Sequence, residues 1–285
     1  MMYKNLILLM RPKHYLKNLL IFLPLIFSGH LLSSSALLSS LSAFVVFSMI
    51  ASSVYIINDI KDRRLDKLHP RKKHRPIASG DVSVRTATIL AACLVFLASI
   101  IQYYLNPSIL GTSLLASYLI INILYSFGLK NIPIADVAVL SLGFVIRVFY
   151  GGDAIGVHIS SWLYLAVLAF SFYLSLGKRR NEIKAVGSST RKVNRFYSQD
   201  FLDKNMYVCL GLTIIYYSLW AVDPAQSHKL MFLTVPIVIL IVMTYSLSIE
   251  GSKSDGDPVN VVLKSKPLLG LLFFYGVLMV GLSYF

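Results

Sequence analysis

Nine apolar runs follow one another along this chain, most of them near the ~20 residues that cross the hydrocarbon core of a bilayer as a helix. They cover residues 18–34, 36–57, 84–105, 108–127, 133–151, 160–177, 205–222, 229–249 and 267–285. Inside a bilayer the backbone must satisfy its own hydrogen bonds, which restricts spanning structures to helices and closed barrels. Runs of this length read as helices. Charged residues make up 14% of the chain, against about 25% in soluble domains. The expected fold is therefore all-α: a polytopic membrane helix bundle of about nine transmembrane helices. There is no repeat and no low-complexity tract, so residues 1–285 read as one domain.

The net charge of +14 raises nucleic acid as a partner, and the distribution of that charge removes it. Of 27 basic residues, 25 fall in the N-terminal segment and in alternate connections at 58–85, after 127, at 178–204 and at 250–266. The opposite connections hold only Lys229, and Arg147 lies within a run. Basic residues collect on the cytoplasmic side. The pattern implies a multi-pass protein of the cell inner (plasma) membrane, with its N-terminus and the loops 58–85 and 178–204 in the cytoplasm. An odd number of spans puts Phe285 outside. Cys93 and Cys209 stand singly in apolar runs, with no metal or disulfide spacing. The N-terminus lacks the long apolar region and cleavage site of a signal peptide.

The chemistry concentrates where the second run ends, at Asn58-Asp59-Ile60-Lys61-Asp62-Arg63-Arg64-Leu65-Asp66. If the helix continues past Ile57, Asp59, Asp62 and Asp66 share one face. Aligned carboxylates repel unless a cation lies between them. Oxygen-only ligands suit Mg2+, which usually shares its coordination with substrate phosphates. The spacing points to a Mg2+–diphosphate site at a membrane edge. An exposed helix end neutralised by Lys61, Arg63 and Arg64 is the routine alternative, but these are three of only 13 acids in the chain.

Pro70 and Pro76 bracket a basic loop that starts at Arg71. Lys72 and Lys73 suit anionic lipid, and Arg75, fixed before a proline, suits a phosphate clamp. Lys13, His14, Lys17 and Asn18 precede the first run, and Tyr125 to Lys130 closes the fourth. In the second long loop, Lys178 and Glu182 form an i,i+4 pair if the sixth helix continues, and Glu182 is then a candidate fourth carboxylate. Asp136 stands near the cytoplasmic end of the fifth run and is placed to join the site. Arg147, near its outer end, suits a structural pairing with Asp153. A transporter would put its charges near the membrane midplane at broken helices, whereas these acids lie at the edge.

The pattern NDxxDxxxD at 58–66, the nine runs and the charged loop after the sixth resemble the UbiA superfamily of intramembrane transferases over essentially the whole chain. Five segments narrow the resemblance to its decaprenyl-phosphate phosphoribosyltransferase branch: Arg11 to Asn18, Arg75 to Gly80, Tyr125 to Lys130, Gly177 to Glu182 and Gly256 to Leu263. The usual prenyltransferases of the superfamily carry a second DxxxD after the sixth span. Here Lys178-Arg179-Arg180-Asn181-Glu182 is more basic, which suits a donor with an additional phosphate.

The resemblance implies Mg2+-dependent transfer of a 5-phosphoribosyl group from phosphoribosyl diphosphate to a polyprenyl (decaprenyl-type) phosphate. The product would feed a pathway to a lipid-linked pentose of the cell wall. It also implies Asp59, Asp62 and Asp66 as metal ligands, with Glu182 beside them in catalysis. Substrate contacts would come from Lys13, Lys17, Asn58, Arg63, Arg75, Tyr125, Lys130, Lys178 and Arg179. The alternative from the same superfamily is a prenyltransferase that moves a polyprenyl group from its diphosphate to an aromatic or other small acceptor.

Overall fold

The computed structural model describes residues 2–68, 72–186, 192–224, 230–251 and 256–284. Among them every regular element is a helix. The α-helices are α1 (Met2–Met10), α2 (Leu23–Phe27), α3 (Ser34–Leu68), α4 (Pro76–Ser79), α5 (Val84–Leu105), α6 (Ile109–Phe127) and α7 (Ala135–Ala154). They continue with α8 (Ser161–Val186), α9 (Gln199–Val222), α10 (Val235–Glu250), α11 (Pro258–Lys264) and α12 (Lys266–Tyr284). Eight helices among the described residues are long and apolar enough to cross a membrane: α3, α5 to α9, α10 with the turn before it, and α12. Ser83, Ser108 and Ser198 cap α5, α6 and α9 by accepting the backbone N–H three residues on, the local chemistry that starts a helix.

The first apolar run departs from the expected long helix. A 3-10 helix over Pro12–Phe22 leads into the five residues of α2. Pro12 and Pro24 withhold two N–H donors there, and Gly29 turns the chain at φ 76. Arg71 of the basic loop, and Phe285, for which the charge pattern implies the outer side, lie outside the described residues.

The chain forms two compact units. The first takes Met1–Leu25, His30–Lys130 and Ile146–Val157. Its axis is α3, against which α5 and α6 pack. At 35 residues α3 is about 52 Å long, well beyond the ~30 Å of hydrocarbon. Its last turns therefore carry the acids clear of the apolar core. Ala43, Val46, Phe47, Ile50 and Val54 of α3 meet Ile21, Ala98, Leu115, Tyr118 and Tyr150 in the core of this unit. Gly151 is required there: a Cβ would stand 2.1 Å from the Ile21 carbonyl oxygen.

The second unit takes Ile26–Gly29, Asn131–Val145 and His158–Phe285. Here α8 and α9 form the most extensive helix pair. Val137, Tyr173, Leu176, Val193, Tyr197, Leu202, Met206, Tyr245 and Ile249 build its core. The helix α8 runs on to Val186, so its charged end continues the membrane helix without a break.

Candidate active site

In the first unit α3 does continue past Ile57. Its 4-3-4-3-4 spacing aligns Ser48, Ser52, Tyr55, Asp59, Asp62 and Asp66 in one polar stripe. The upper part of the stripe is held by the N-terminal segment. The Tyr15 hydroxyl lies 2.9 Å from Ser52 Oγ, which also donates to the Met10 carbonyl at 3.0 Å, and Asn18 donates to Ser48 Oγ at 2.9 Å.

The lower part is a cluster of charges. Asp59 is buried and accepts from Arg11 Nη2 at 2.5 Å and from Arg75 Nη1 at 2.9 Å. The same Arg75 nitrogen stands 2.8 Å from Asp66 Oδ2. Asp62 accepts from Lys130 Nζ at 2.5 Å. Three cations thus answer three carboxylates. Asn58 sits beside them, its Oδ1 accepting from Ser126 Oγ at 3.1 Å.

Local sequence explains the reach of these cations. Arg75 is extended, at φ −67 and ψ 141, because Pro76 follows it and opens α4. Arg11 takes a left-handed φ of 54 before Pro12, which turns the chain from α1 into the 3-10 helix. Its guanidinium lies 5.1 Å from the centre of the Tyr55 ring, and Lys61 lies 4.4 Å from that of Phe127. Lys130 belongs to the short turn after α6.

Of the residues expected to contact substrate, Asn58, Arg75 and Lys130 enter this cluster. Lys13 is exposed, while Lys17, Arg63 and Tyr125 are half-buried. Arg11 opens one of the segments that carry the resemblance, but sequence alone assigns it no metal or substrate role. The signal that could have found it is the following proline, the same signal that marked Arg75.

Among the described residues no three His, Cys, Asp or Glu groups converge as a metal site. Asp62 turns to Lys130, and a guanidinium separates Asp59 from Asp66. The donors nevertheless fit a hard cation: two buried carboxylate oxygens share a single positively charged nitrogen, which stands in for one.

A second buried charge lies further along the stripe. Arg147 donates from Nε to Asn18 Oδ1 at 2.8 Å and from Nη2 to the Tyr118 hydroxyl at 3.2 Å, with the Phe47 ring centre 4.7 Å away. The pairing with Asp153 does not form; Asp153 accepts from Ser108 Oγ at 2.9 Å.

The second unit holds its own charge cluster. Arg179 and Asp136 are fully buried and meet at 2.6 Å. Arg179 also pairs with Glu182 through Nη1. The Tyr197 hydroxyl donates to Asp136 Oδ1 at 2.5 Å and accepts from the Ile134 N–H at 2.6 Å. Burial, and then the Asp136 carboxylate it donates to, push the Tyr197 hydroxyl up to about 12. Arg180 pairs with Asp203, and Asn181 donates to the Ile249 carbonyl at 2.7 Å. Gly256, at φ 72, packs so close to Asn181 and Lys178 that a Cβ would meet them at 2.9 and 3.0 Å. Lys178 is half-buried. Nothing in the sequence around Tyr197 marked it.

The UbiA prenyltransferase family model matches residues 20–257, and so takes in residues of both units. The chain belongs to this family. Decaprenyl-phosphate phosphoribosyltransferase of Mycolicibacterium smegmatis is 32% identical over 296 residues, covering 97% of this chain and 91% of that protein. The protein of the same name from Mycobacterium tuberculosis is 30% identical over 281 residues, covering 95% and 91%. A UbiA homolog from Archaeoglobus fulgidus, solved bound to GPP and Mg2+, superposes with a TM-score of 0.72 at 19% identity, covering 98% of each chain. At that identity the likeness is one of fold. The chain is therefore a multi-pass membrane transferase of the UbiA family.

Proposed function

We propose that this transferase moves a 5-phosphoribosyl group from phosphoribosyl diphosphate to a polyprenyl phosphate of the decaprenyl type and releases diphosphate. The names of the relatives that match nearly end to end support the decaprenyl phosphate acceptor and the phosphoribosyl group. The observation that carries the site is the Arg75 nitrogen shared by Asp59 and Asp66. It supports a site for Mg2+, held by Asp59, Asp62 and Asp66. When bound, Mg2+ offsets the charge that develops on a departing diphosphate.

The protein's own residues would do the rest. With Mg2+ held by the aspartates, Arg75, Arg11 and Lys130, which pair with those carboxylates here, would be available to diphosphate oxygens. Arginine suits that task because its planar fork matches an oxyanion at two points. Asn58 lies beside the cluster, and Arg63 and Tyr125 are offered to the same diphosphate. Lys13, Lys17 and Lys178 are offered to the remaining phosphates of donor and lipid. In the reaction an oxygen of the lipid phosphate forms a bond to ribose C1 on the face opposite the leaving group. The C1–O bond to diphosphate breaks, and the anomeric centre inverts. The acceptor is already an anion, so no residue is needed as a general base. The N-terminus and the loops 58–85 and 178–204 face the cytoplasm of the inner membrane on this reading. All of it is served by one domain, residues 1–285.

Membranes containing the protein, given labelled phosphoribosyl diphosphate and decaprenyl phosphate, are expected to produce a labelled, solvent-extractable lipid only when Mg2+ is present. Absence of that lipid, together with consumption of a prenyl diphosphate by an aromatic acceptor, would assign the chain to prenyl transfer instead.

A further inference from the structure

We propose that Arg179 is a positioning residue: it holds the Glu182 carboxylate in place and does not contact a substrate phosphate. Its side chain is fully buried, and its guanidinium is engaged on one side by Asp136 and on another by Glu182. Asp136 is fully buried as well. A phosphate arriving at Arg179 would have to draw the guanidinium away from Asp136 and leave a carboxylate uncompensated in the protein interior, a strongly unfavourable state. Glu182 is different. A quarter of its side chain is exposed, 24% against none for Arg179. The arginine thus grips from beneath a carboxylate that itself reaches the surface of α8.

What holds Arg179 extends well beyond its own helix. Asp136 has its second oxygen fixed by the Tyr197 hydroxyl at 2.5 Å, and Tyr197 is in turn fixed by the Ile134 N–H at 2.6 Å. Ile134 has a φ of 67, a conformation that is a genuine outlier for a β-branched residue. Strained backbone of this kind persists only where the surroundings over-determine it. A continuous chain of contacts therefore runs from the strained turn before α7, through Tyr197, Asp136 and Arg179, to Glu182. Lys178, one residue earlier, is half-buried.

The inference rests on the proposed phosphoribosyl transfer and on the role in catalysis that the family resemblance implies for Glu182. The test is a double-mutant cycle on purified protein, with kcat and KM for phosphoribosyl diphosphate measured separately and melting temperature recorded for each variant. Arg179→Lys keeps the charge but loses the planar fork whose Nε faces Asp136 and whose Nη1 faces Glu182. It is expected to lower kcat by about 10- to 100-fold and to leave KM for the donor within about 3-fold. In a Glu182→Gln background the same change is expected to cost nothing further, since the carboxylate it positions is gone. A rise in donor KM with kcat preserved, or losses that multiply in the double variant, overturns the proposal.

If Arg179→Lys does not fold, Tyr197→Phe replaces it. That variant keeps both charges and frees one oxygen of Asp136. A fall in kcat that disappears in the Glu182→Gln background supports positioning, and an equal fall in both backgrounds overturns it. Full activity of Glu182→Gln removes the role of Glu182 and the positioning proposal with it. Failure of the wild-type protein to use phosphoribosyl diphosphate counts against the donor alone, and the same cycle is then run with prenyl diphosphate.

Discussion

The two charge clusters use the same residue types and reach opposite states. In the first unit the cations Arg11, Arg75 and Lys130 are 20%, 27% and 16% exposed, while Asp59 and Asp66 beneath them are 3% and 5% exposed. In the second unit Arg179 and Asp136 are both at zero. A partly exposed cation over a buried acid can leave, because water or a ligand phosphate receives its charge. A buried cation on a buried acid cannot leave without stranding its partner. The first arrangement suits exchange of ligands and the second suits fixing a geometry. The number of ion pairs alone does not distinguish them.

The largest effect that can break this comparison is loss of the acids in the exchangeable cluster. Asp59→Ala and Asp62→Ala are each expected to lower turnover by about 10³-fold or more, with the variants still eluting as folded protein. Activity retained in both would show that the cluster is an ordinary salt-bridged helix end. Next is Asp136→Ala. It removes the fully buried acid paired with Arg179 and should destabilise the protein by about 3–5 kcal/mol, read as a lower melting temperature in detergent. If Asp59→Ala lowers the melting temperature as much as Asp136→Ala does, the contrast between the clusters collapses.

Arg75→Lys sharpens the first half. It keeps the charge and loses the fork, and it is expected to raise the donor KM by about 10-fold with little change in melting temperature.

The smallest effect concerns Tyr197, whose loss as phenylalanine should cost about 1 kcal/mol at neutral pH. Because folding raises its pKa from 10.0 to about 12, its contribution is complete below pH 10. It falls away as pH rises from there through 12, where the unfolded state loses its proton first. Stability measured across that window should therefore decline less steeply in Tyr197→Phe than in the wild type; identical slopes would remove the perturbed tyrosine from the account.

Some of this was legible in residue order. Length and polarity of the apolar runs identify a helical membrane protein, and the spacing of Asp59, Asp62 and Asp66 puts them on one face before any fold is known. Arg75 declares itself through Pro76. Other parts were hidden. The N-terminal run looks like a spanning α-helix by composition, yet two prolines turn it into 3-10 geometry followed by a single short helix. Lys178 looked like the partner of Glu182 by i,i+4 spacing, but the ion pair found is with Arg179, three residues away. Spacings of three and four both fall on the same helical face, and burial against Asp136 decides between them.

By itself the sequence determined the membrane class and the spacing that aligns the acids once α3 runs on past Ile57, because both depend on local periodicity. Only the tertiary structure decided who answers each charge. Arg11 and Asp59 are 48 residues apart in the chain, Lys130 and Asp62 are 68 apart, and Arg179 and Asp136 are 43 apart. Pairings at that separation arise when helices pack, and burial, which sets whether a charge can be exchanged or must stay, exists only once they have done so.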